Sequence, residues 1–317
     1  MQYTPSATSN ICDLNLLYDK ERGFEYSLPR NILEGFLSGK AFDNPNPYTS
    51  EELSKLFEDI NGLFQAIIST NPIKANVAVI SAGAPGSGKT TKIKQELEQT
   101  KKWAYVCPDD VCLKNQERTY KADIASCDGS FEARKKAYDK WRPGSNAATH
   151  LILGNLIREK YGFYFGSTSS SFASGYFFEF LKKQGYQIQL IHLSAPDDVR
   201  WKSIQERDKE FVQTTESDVR EKGLLVPQRI QDTYLKFADE IEFYYRDEVK
   251  KNAVLAARWL RKDEEDLQYQ GTLEIVDQEA YEKIKLVHNT AIYSLEKTEL
   301  LWENTLETHS RVVANAL

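Results

Sequence analysis

The chain has 317 residues, of which 41% are hydrophobic and 28% are charged, and its net charge is −6. This ordinary globular composition excludes a disordered chain. The acidic balance argues against nucleic acid as a partner, because nucleic-acid binders usually carry a basic stripe. No apolar stretch approaches the roughly 20 residues of a membrane span, and residues 1–10 carry no Sec-type signal. We therefore expect no membrane segment and a cytoplasmic protein, or one delivered into a host or target cell by another route.

Residues 1–72 are predicted to form an N-terminal helical extension. Thr49 and Glu52 fit a capping box. Apolar residues follow them at three- and four-residue spacing, which predicts a helix. Asn71-Pro72 ends that helix, because the residue before a proline is disfavoured in the helical conformation.

Residues 73–246 alternate strand-like and helix-like stretches. The predicted strands are 76–82, 103–107, 162–165, 187–194 and 240–244, and the predicted helices are 90–100, 147–160, 172–184, 197–211 and 227–238. This alternation predicts an α/β fold, a parallel sheet with helices on both faces. Ligands of such sheets bind at the carboxyl ends of the strands. The remainder, 247–317, is predicted to be a mostly helical C-terminal extension, with helices over 247–262 and 279–295 and a strand over 273–277.

A phosphate loop follows the first of these strands, because residues 83–90 match G-x-x-x-x-G-K-[ST] in full. The predicted nucleotide-binding residues are Gly83, Ala84, Pro85, Gly86, Ser87, Gly88, Lys89, Thr90 and Thr91. The glycines let backbone N–H groups approach phosphate oxygens, and the helix N-terminus adds its positive dipole end. Lys89 can bridge the β- and γ-phosphates, and Thr90 can hold Mg²⁺ through its hydroxyl. The predicted cofactors are therefore ATP or GTP, and Mg²⁺.

The later strands indicate which kind of phosphate-loop protein this is. A GTPase needs the guanine-reading motif N-K-x-D, and the dipeptide Asn-Lys does not occur in the sequence. The second strand runs directly into Pro108-Asp109-Asp110. A carboxylate at that position can accept a proton from an attacking hydroxyl or hold Mg²⁺ through water, so Asp109 is a predicted catalytic and metal-site residue. Asp110 is assigned to the substrate pocket beside it.

From this point the chain resembles the zeta-toxin family of phosphate-loop kinases. The likeness covers residues 73–246 and is carried by the loop, by the strand ending in Pro-Asp-Asp, and by four later segments in the family's order. Those segments are Phe165-Gly-Ser-Thr168, 185–193, Ile204-Gln-Glu-Arg207 and 219–227. Gly166 and Leu224 depart from the family pattern, which typically has Glu and His at these places.

The resemblance implies an adenylate-kinase-like sheet and transfer of the γ-phosphate to a hydroxyl of a nucleotide-sugar-type small molecule. Asp109 would be the base. Arg207 and Arg220 would neutralise charge on the transferring phosphoryl group, since a guanidinium fork suits that task. Thr168 would contact the substrate. The two terminal extensions lie outside the likeness and could bind an inhibitor protein or a host protein.

Several individual residues keep alternative interpretations. Ser167 and its serine-rich neighbours are predicted to line the substrate pocket, although a simple polar loop has the same composition. His150 is included as a candidate substrate contact, although a lone histidine in a helix is more often structural. Arg200 is interpreted as part of a solvated charged helix face.

Two other functions compete with a small-molecule kinase. One is a catalytically silent, nucleotide-gated binding module that acts through its helical extensions. The other is a kinase that acts on a polynucleotide end, which the acidic balance disfavours. The carboxylate pair and the ordered arginines favour the small-molecule kinase.

Overall fold

The computed structural model describes residues 48–100, 103–171, 173–209, 211, 214, 216–262 and 271–290. They divide into two compact units. The first unit consists of the described parts of Met1–Asn76, Thr100–Gly166 and Asp208–Gln213, and the second of those of Val77–Gln99, Ser167–Arg207 and Thr214–Leu317. The predicted elements within 1–47 and 291–317 lie outside the described residues.

Strands and helices follow the predicted alternation through residue 245. The strands are β1 Val77–Ala82, β2 Ala104–Val106, β3 Phe163–Phe165, β4 Gln187–Ser194, β5 Glu240–Tyr245, β6 Val254–Arg261 and β7 Gly271–Ile275. The helices are α1 Ser50–Ser69, α2 Lys89–Thr100, α3 Tyr120–Ser126, α4 Phe131–Arg158, α5 Ala173–Lys183, α6 Asp197–Asp208, α7 Glu216–Arg229, α8 Leu235–Phe237 and α9 Gln278–Thr290. All strands predicted before residue 246 are confirmed. The helix predicted to begin at Pro227 is wrong in its start, because α7 begins at Glu216 and carries Pro227 inside it.

In the first unit, helices α1, α3 and α4 accompany the parallel pair β2–β3. The capping box is confirmed at α1, where the Thr49 backbone N–H donates to Glu52 (2.8 Å) and Glu52 N–H donates to the Thr49 hydroxyl (3.2 Å). Leu56, Phe57 and Ile60 lie on the buried side of α1, at most 2% exposed. The apolar spacing seen in the sequence is therefore the packing face of this helix.

Helix α4 continues through Pro143, where a helix is usually broken. The hydroxyl of Tyr48 lies inside the helical hydrogen-bond ladder. It donates to the Lys140 carbonyl (2.6 Å) and accepts from the Gly144 N–H (3.1 Å). A side chain from outside the helix thus satisfies the two backbone groups that the interruption leaves, which lets one helix span 28 residues.

In the second unit, five strands lie in the order β1-β4-β5-β6-β7. The pairs β1–β4 and β4–β5 are parallel, whereas β5–β6 and β6–β7 are antiparallel. Almost all of β1 and β4 is buried, as expected of parallel strands covered by helices. Together with the parallel pair in the first unit, these strands confirm the predicted α/β class.

The helix predicted over 247–262 is wrong, because half of it is strand β6. Leu255, Ala256 and Ala257 are good helix formers, so local propensity favoured a helix. Pairing with β5 and β7 overrides that propensity: Trp259 is fully buried and lies against Gly271, where an added Cβ would meet the indole ring at 2.3 Å. The predicted strand over 273–277 and the start of the helix over 279–295 are confirmed by β7 and α9.

Among the described helices, none has both the length and the apolar character required to cross a membrane.

Candidate functional site

The phosphate loop occupies the turn between β1 and α2 in the second unit. Gly83, Gly86 and Gly88 all have positive φ angles, of 129°, 80° and 103°. A Cβ at Gly83 would lie 2.3 Å from the Leu193 carbonyl oxygen, and one at Gly86 would lie 2.3 Å from the Arg200 carbonyl oxygen. Backbone conformation and close approach therefore both require glycine at these two positions.

The interior of the loop fits a polyphosphate. Lys89 opens α2, and its ammonium group donates to the Ala84 carbonyl across the loop (2.8 Å). Ser87 is fully buried, and its hydroxyl has no hydrogen-bond partner among the described residues. An unpartnered buried hydroxyl beside a helix N-terminus suits an anion that accepts hydrogen bonds. Thr90 follows Lys89, and its hydroxyl would hold Mg²⁺ together with phosphate oxygens.

Arg200 and Arg246 hold this loop from outside, and neither was predicted as a site residue. The assignment of Arg200 to a solvated face is wrong, because Arg200 is 3% exposed and donates to the Val219 carbonyl (2.9 Å) and weakly to the Pro85 carbonyl (3.5 Å). Asp197, one helical turn earlier, pairs with it. That spacing was visible in the sequence, but an exposed i,i+3 ion pair has the same pattern.

The serine-rich segment is tied to the end of β1. The Ser81 hydroxyl donates to the Ser167 carbonyl (2.8 Å) and accepts from its N–H (3.0 Å), and the Ser169 hydroxyl donates to the Ser81 carbonyl (2.9 Å). The Thr168 carbonyl accepts from the Gly83 N–H (3.1 Å), and its hydroxyl lies 3.0 Å from that of Ser170. The segment is therefore a fixed neighbour of the phosphate loop within the second unit, and its contact with a substrate stays a prediction.

The two predicted phosphoryl-binding arginines also lie in the second unit. Arg207 is in the last turn of α6, and Arg220 is exposed near the start of α7. Arg200 links these helices to the loop, because it lies in α6 and donates to the carbonyls of Val219 in α7 and of Pro85 in the loop. Gly223 allows this approach, since a Cβ there would lie 2.5 Å from the Arg200 guanidinium. The contact of Arg207 and Arg220 with a nucleotide stays a prediction.

A buried histidine pair lies at the end of β4, also in the second unit. His192 and His288 have ring centroids 5.3 Å apart, and the Ser194 hydroxyl lies 3.0 Å from His288 Nε2. Burial lowers the pKa of His288 to about 4. It also lowers the pKa of His192, with smaller effects from His288 and Lys89. Both rings are therefore neutral near pH 7, and they connect α9 to the strand beside the loop.

In the first unit, the carboxylate of Asp109 is held by an arginine. Asp109 and Asp110 lie on the π-helical turn Pro108–Cys112, which directly follows β2. The Arg142 Nε lies 2.6 Å from Asp109 Oδ1. Burial is the largest effect on the pKa of Arg142 and lowers it, but the Asp109 charge and the contacts with Tyr138 and Cys107 together outweigh burial and raise the pKa. Single-turn π-helices are rare and occur often at functional sites, and Arg142 places a positive charge beside the Asp109 carboxylate.

Arg142 belongs to a polar stripe at four-residue spacing along α4. The stripe consists of Tyr138, Arg142, Asn146 and His150, which share one helix face. Arg142 donates to the Tyr138 hydroxyl (3.1 Å) and to the Asn146 amide oxygen. Burial, followed by the Arg142 charge, lowers the pKa of His150 to about 3, so it is neutral. This spacing could have revealed Arg142, but the sequence predicted α4 only from residue 147.

Local packing in the first unit explains why residue 166 is a glycine. A Cβ there would lie 2.9 Å from the Cys107 Cβ, and the Gly166 N–H donates to the Val106 carbonyl (2.8 Å). The packing at the ends of β2 and β3 therefore leaves no room for the glutamate that the family usually has at this position.

Fold and loop define a phosphate-loop α/β protein, and comparison with known families makes the class specific. The zeta toxin family model matches residues 63–307, so the chain belongs to the zeta toxin family. The match runs past both predicted domain boundaries, at 72 and 246, which themselves stay predictions. No curated protein matches the sequence.

Solved structures with this fold share little sequence with the chain. The native AvrRxo1-ORF1:-ORF2 complex is 15% identical with a TM-score of 0.57, covering 83% of this chain and 82% of that chain. The same pair with ATP is 14% identical with a TM-score of 0.54, covering 76% and 74%. The PezAT toxin–antitoxin system of Streptococcus pneumoniae is 13% identical with a TM-score of 0.47, covering 65% and 81%. At such identities the likeness to the two AvrRxo1 structures shows the fold, and with the family it supports a nucleotide-dependent kinase.

Proposed function

We propose that this protein is an ATP- or GTP-dependent kinase that transfers the γ-phosphate to a hydroxyl of a small molecule of the nucleotide-sugar or nucleotide class. The observation that carries the proposal is the Asp109 carboxylate, paired with Arg142 on a π-helical turn after β2. A binding module needs the loop but has no use for an oriented base. Asp109 and the loop lie in different units, so their cooperation is part of the proposal.

In the proposed reaction, the acceptor hydroxyl oxygen attacks the γ-phosphorus while its proton passes to Asp109. The new O–P bond forms as the bond from the γ-phosphorus to the bridging oxygen breaks, and the nucleoside diphosphate leaves. Lys89 stabilises charge on the phosphoryl group, and Arg207 and Arg220 add to this in the same role. Mg²⁺, when bound through Thr90, neutralises phosphate charge.

The acceptor class is supported by the polar stripe on α4 and by the groups around Asp109. Asn146 and His150 offer neutral hydrogen-bonding groups, and Asp110 adds a second carboxylate. A neutral imidazole and an amide suit a hydroxyl-rich or heterocyclic acceptor better than a purely anionic one. Ser167 and Thr168 are assigned to the same acceptor in this proposal.

Mass spectrometry tests the proposal directly. The wild-type protein is incubated with Mg²⁺, ATP or GTP and a desalted metabolite extract, beside Asp109→Asn. The control is Asp139→Asn, because Asp139 is a half-exposed carboxylate on the same helix as Arg142 and pairs with Lys135 at i,i+4 spacing. We expect a metabolite that gains one phosphoryl group with the wild type and with Asp139→Asn, but not with Asp109→Asn. Nucleotide binding without any new product would instead favour the nucleotide-gated binding module.

A protein inhibitor is the second part of the proposal. It is supported by the family and by the two-protein AvrRxo1-ORF1:-ORF2 complex that appears among the structural neighbours. We expect growth arrest in bacteria that express the wild type, normal growth with Asp109→Asn, and rescue by a cognate inhibitor. Equal arrest by both forms would separate toxicity from phosphoryl transfer.

A further inference from the structure

Arg246 is a buried cation with only neutral partners. It follows β5 directly and is 8% exposed. Its guanidinium donates to the Gly86 carbonyl (2.5 Å), the Ser203 hydroxyl (2.7 Å) and the Val249 carbonyl (2.8 Å). Its backbone N–H donates to the Ser194 carbonyl (3.0 Å). Within the described part of the chain, no carboxylate forms an ion pair with it.

Such a site is energetically unusual. A buried charge normally has a partner of opposite charge, because removing an ion from water costs free energy that neutral hydrogen bonds repay only in part. Burial accordingly lowers the pKa of Arg246. Arg200 provides the contrast in the same unit: it is also buried and also contacts the loop, but Asp197 pairs with it. One loop-binding arginine is thus compensated and the other is not.

The position of Arg246 indicates which anion compensates it. Its guanidinium holds the Gly86 carbonyl, and its Nε would lie 3.4 Å from a Cβ at Gly88. The charge therefore lies against the backbone of the glycine turn that wraps the phosphates in phosphate-loop proteins. A carbonyl that accepts from a cation is polarised, and the neighbouring N–H groups of the turn become better donors.

We propose that Arg246 is a positioning residue of the nucleotide site, whose counter-ion is the phosphate chain of the bound nucleotide. It acts through the loop backbone at Gly86 and Gly88 and links the loop to α6 through Ser203. Without nucleotide the Arg246 charge is uncompensated. With nucleotide it strengthens the binding of the β- and γ-phosphates by the loop. The inference rests on the nucleotide-binding half of the proposed function and is independent of the acceptor and of Asp109.

The consequence is selectivity for phosphate number. ATP and ADP place charge in the loop, whereas AMP lacks the phosphates that the loop holds. Removing the Arg246 charge is expected to weaken ATP and ADP binding about 10- to 100-fold, in the range of one charge-assisted hydrogen-bonding group. AMP binding is expected to change less than threefold. The nucleotide-free protein is expected to lose no stability, because removing an uncompensated buried charge is often neutral or stabilising.

Calorimetric titration of the full chain with ATP, ADP and AMP tests this, alongside thermal unfolding without nucleotide. The variants are Arg246→Met, which keeps an apolar stem of similar length, and Arg246→Lys, which keeps the charge. Arg200→Met is the matched control. We expect Arg246→Met to bind ATP weakly with an unchanged or raised melting temperature, and Arg246→Lys to recover most of the affinity. Arg200→Met is expected to lower the melting temperature, because it leaves the contacts of α7 unmade.

Three results would overturn the inference. They are an ATP affinity of Arg246→Met within twofold of wild type, an equal loss for ATP and AMP, and a fall in its melting temperature as large as that of Arg200→Met. If Arg246→Met does not fold, Arg246→Lys still decides through its ratio of ADP to AMP affinity. Absence of ATP binding by the wild type would reject the proposed function as well. Normal wild-type binding with an indifferent Arg246 would reject this inference alone.

Discussion

The phosphate loop and the Asp109 region both fix polar groups in place, but they do so by different means. In the loop, the backbone itself positions the polar groups, through three positive-φ glycines within six residues and a helix N-terminus. Around Asp109, side chains do the work, because Arg142 reaches it from a separate helix. The first kind of site is written in consecutive residues. The second exists only after a helix has folded with the correct face inward.

The largest expected effect comes from removing the lysine charge of the phosphate loop. Replacing Lys89 by Ala removes the cation that acts on the transferring phosphoryl group, so we expect turnover to fall about 10³-fold. The measurement is the initial rate of phosphorylated product under saturating nucleotide. Lys92→Ala is the control, because Lys92 lies on the same helix but pairs with Glu96 (3.1 Å). Retained activity in Lys89→Ala would mean that phosphoryl transfer does not occur at this loop.

A second prediction concerns the backbone conformation of the phosphate loop. Gly86→Ala combines a left-handed conformation with a Cβ placed only 2.3 Å from the Arg200 carbonyl oxygen. We expect it to lose about 3 kcal/mol of unfolding free energy together with nucleotide binding. Gly185→Ala is the matched control, since Gly185 also has a positive φ but nothing lies within 4 Å of its added Cβ. It should lose only about 1 kcal/mol. Equal losses would show that strain alone, without the close approach, sets the requirement for glycine.

A third prediction uses pH to separate the two units. The pKa of His288 is about 4 in the folded protein, below the ordinary value of 6.5. Between these values the unfolded chain binds a proton that the folded chain does not, so stability falls as pH falls from 6.5 to 4. The loss from His288 is about 3 kcal/mol at pH 4. His288→Gln should flatten this dependence in urea unfolding. His150→Gln should do the same for the first unit, where burial lowers the pKa of His150 to about 3.

If the pH dependence of stability is unchanged in both glutamine variants, the histidines are not buried as neutral rings. If only one variant flattens it, the acid-sensitive step belongs to the unit that contains that residue.

The smallest expected effect concerns the helix that presents Arg142. Tyr48→Phe removes the hydroxyl that bridges Lys140 and Gly144, leaving two backbone groups unpaired. We expect a loss of about 2 kcal/mol in unfolding free energy, measured in urea. Tyr176→Phe should change nothing, because Tyr176 is 63% exposed. A loss confined to Tyr48→Phe, with reduced turnover, would show that the interrupted helix supports the Asp109 region. Unchanged stability would show that water replaces the hydroxyl at no cost.

How much the sequence could predict follows from the same comparison. The loop, its flanking strand and helix, and the α/β alternation are local patterns, and all were predicted. Arg142 was missed because Pro143-Gly144 is normally a helix stop, so the polar stripe was never placed on one helix. Strand β6 was missed because its alanines and leucines favour a helix, and only pairing with β5 and β7 makes it a strand. Arg246 was missed because a single arginine after a strand carries no local signal of burial.

The Tyr48 contact also gives the first unit an optical property. Tyr48 stacks on Trp141 with ring centroids 5.1 Å apart and an interplanar angle of 12°. Trp141 is 2% exposed, and its indole nitrogen donates to Asp123 (2.8 Å). A shielded indole emits at shorter wavelengths than one in water. Trp141 is therefore a natural fluorescent probe beside the interruption in α4. The difference between the spectra of the wild type and Trp141→Phe then reports, without any added dye, whether a ligand opens or tightens the helix that holds Arg142.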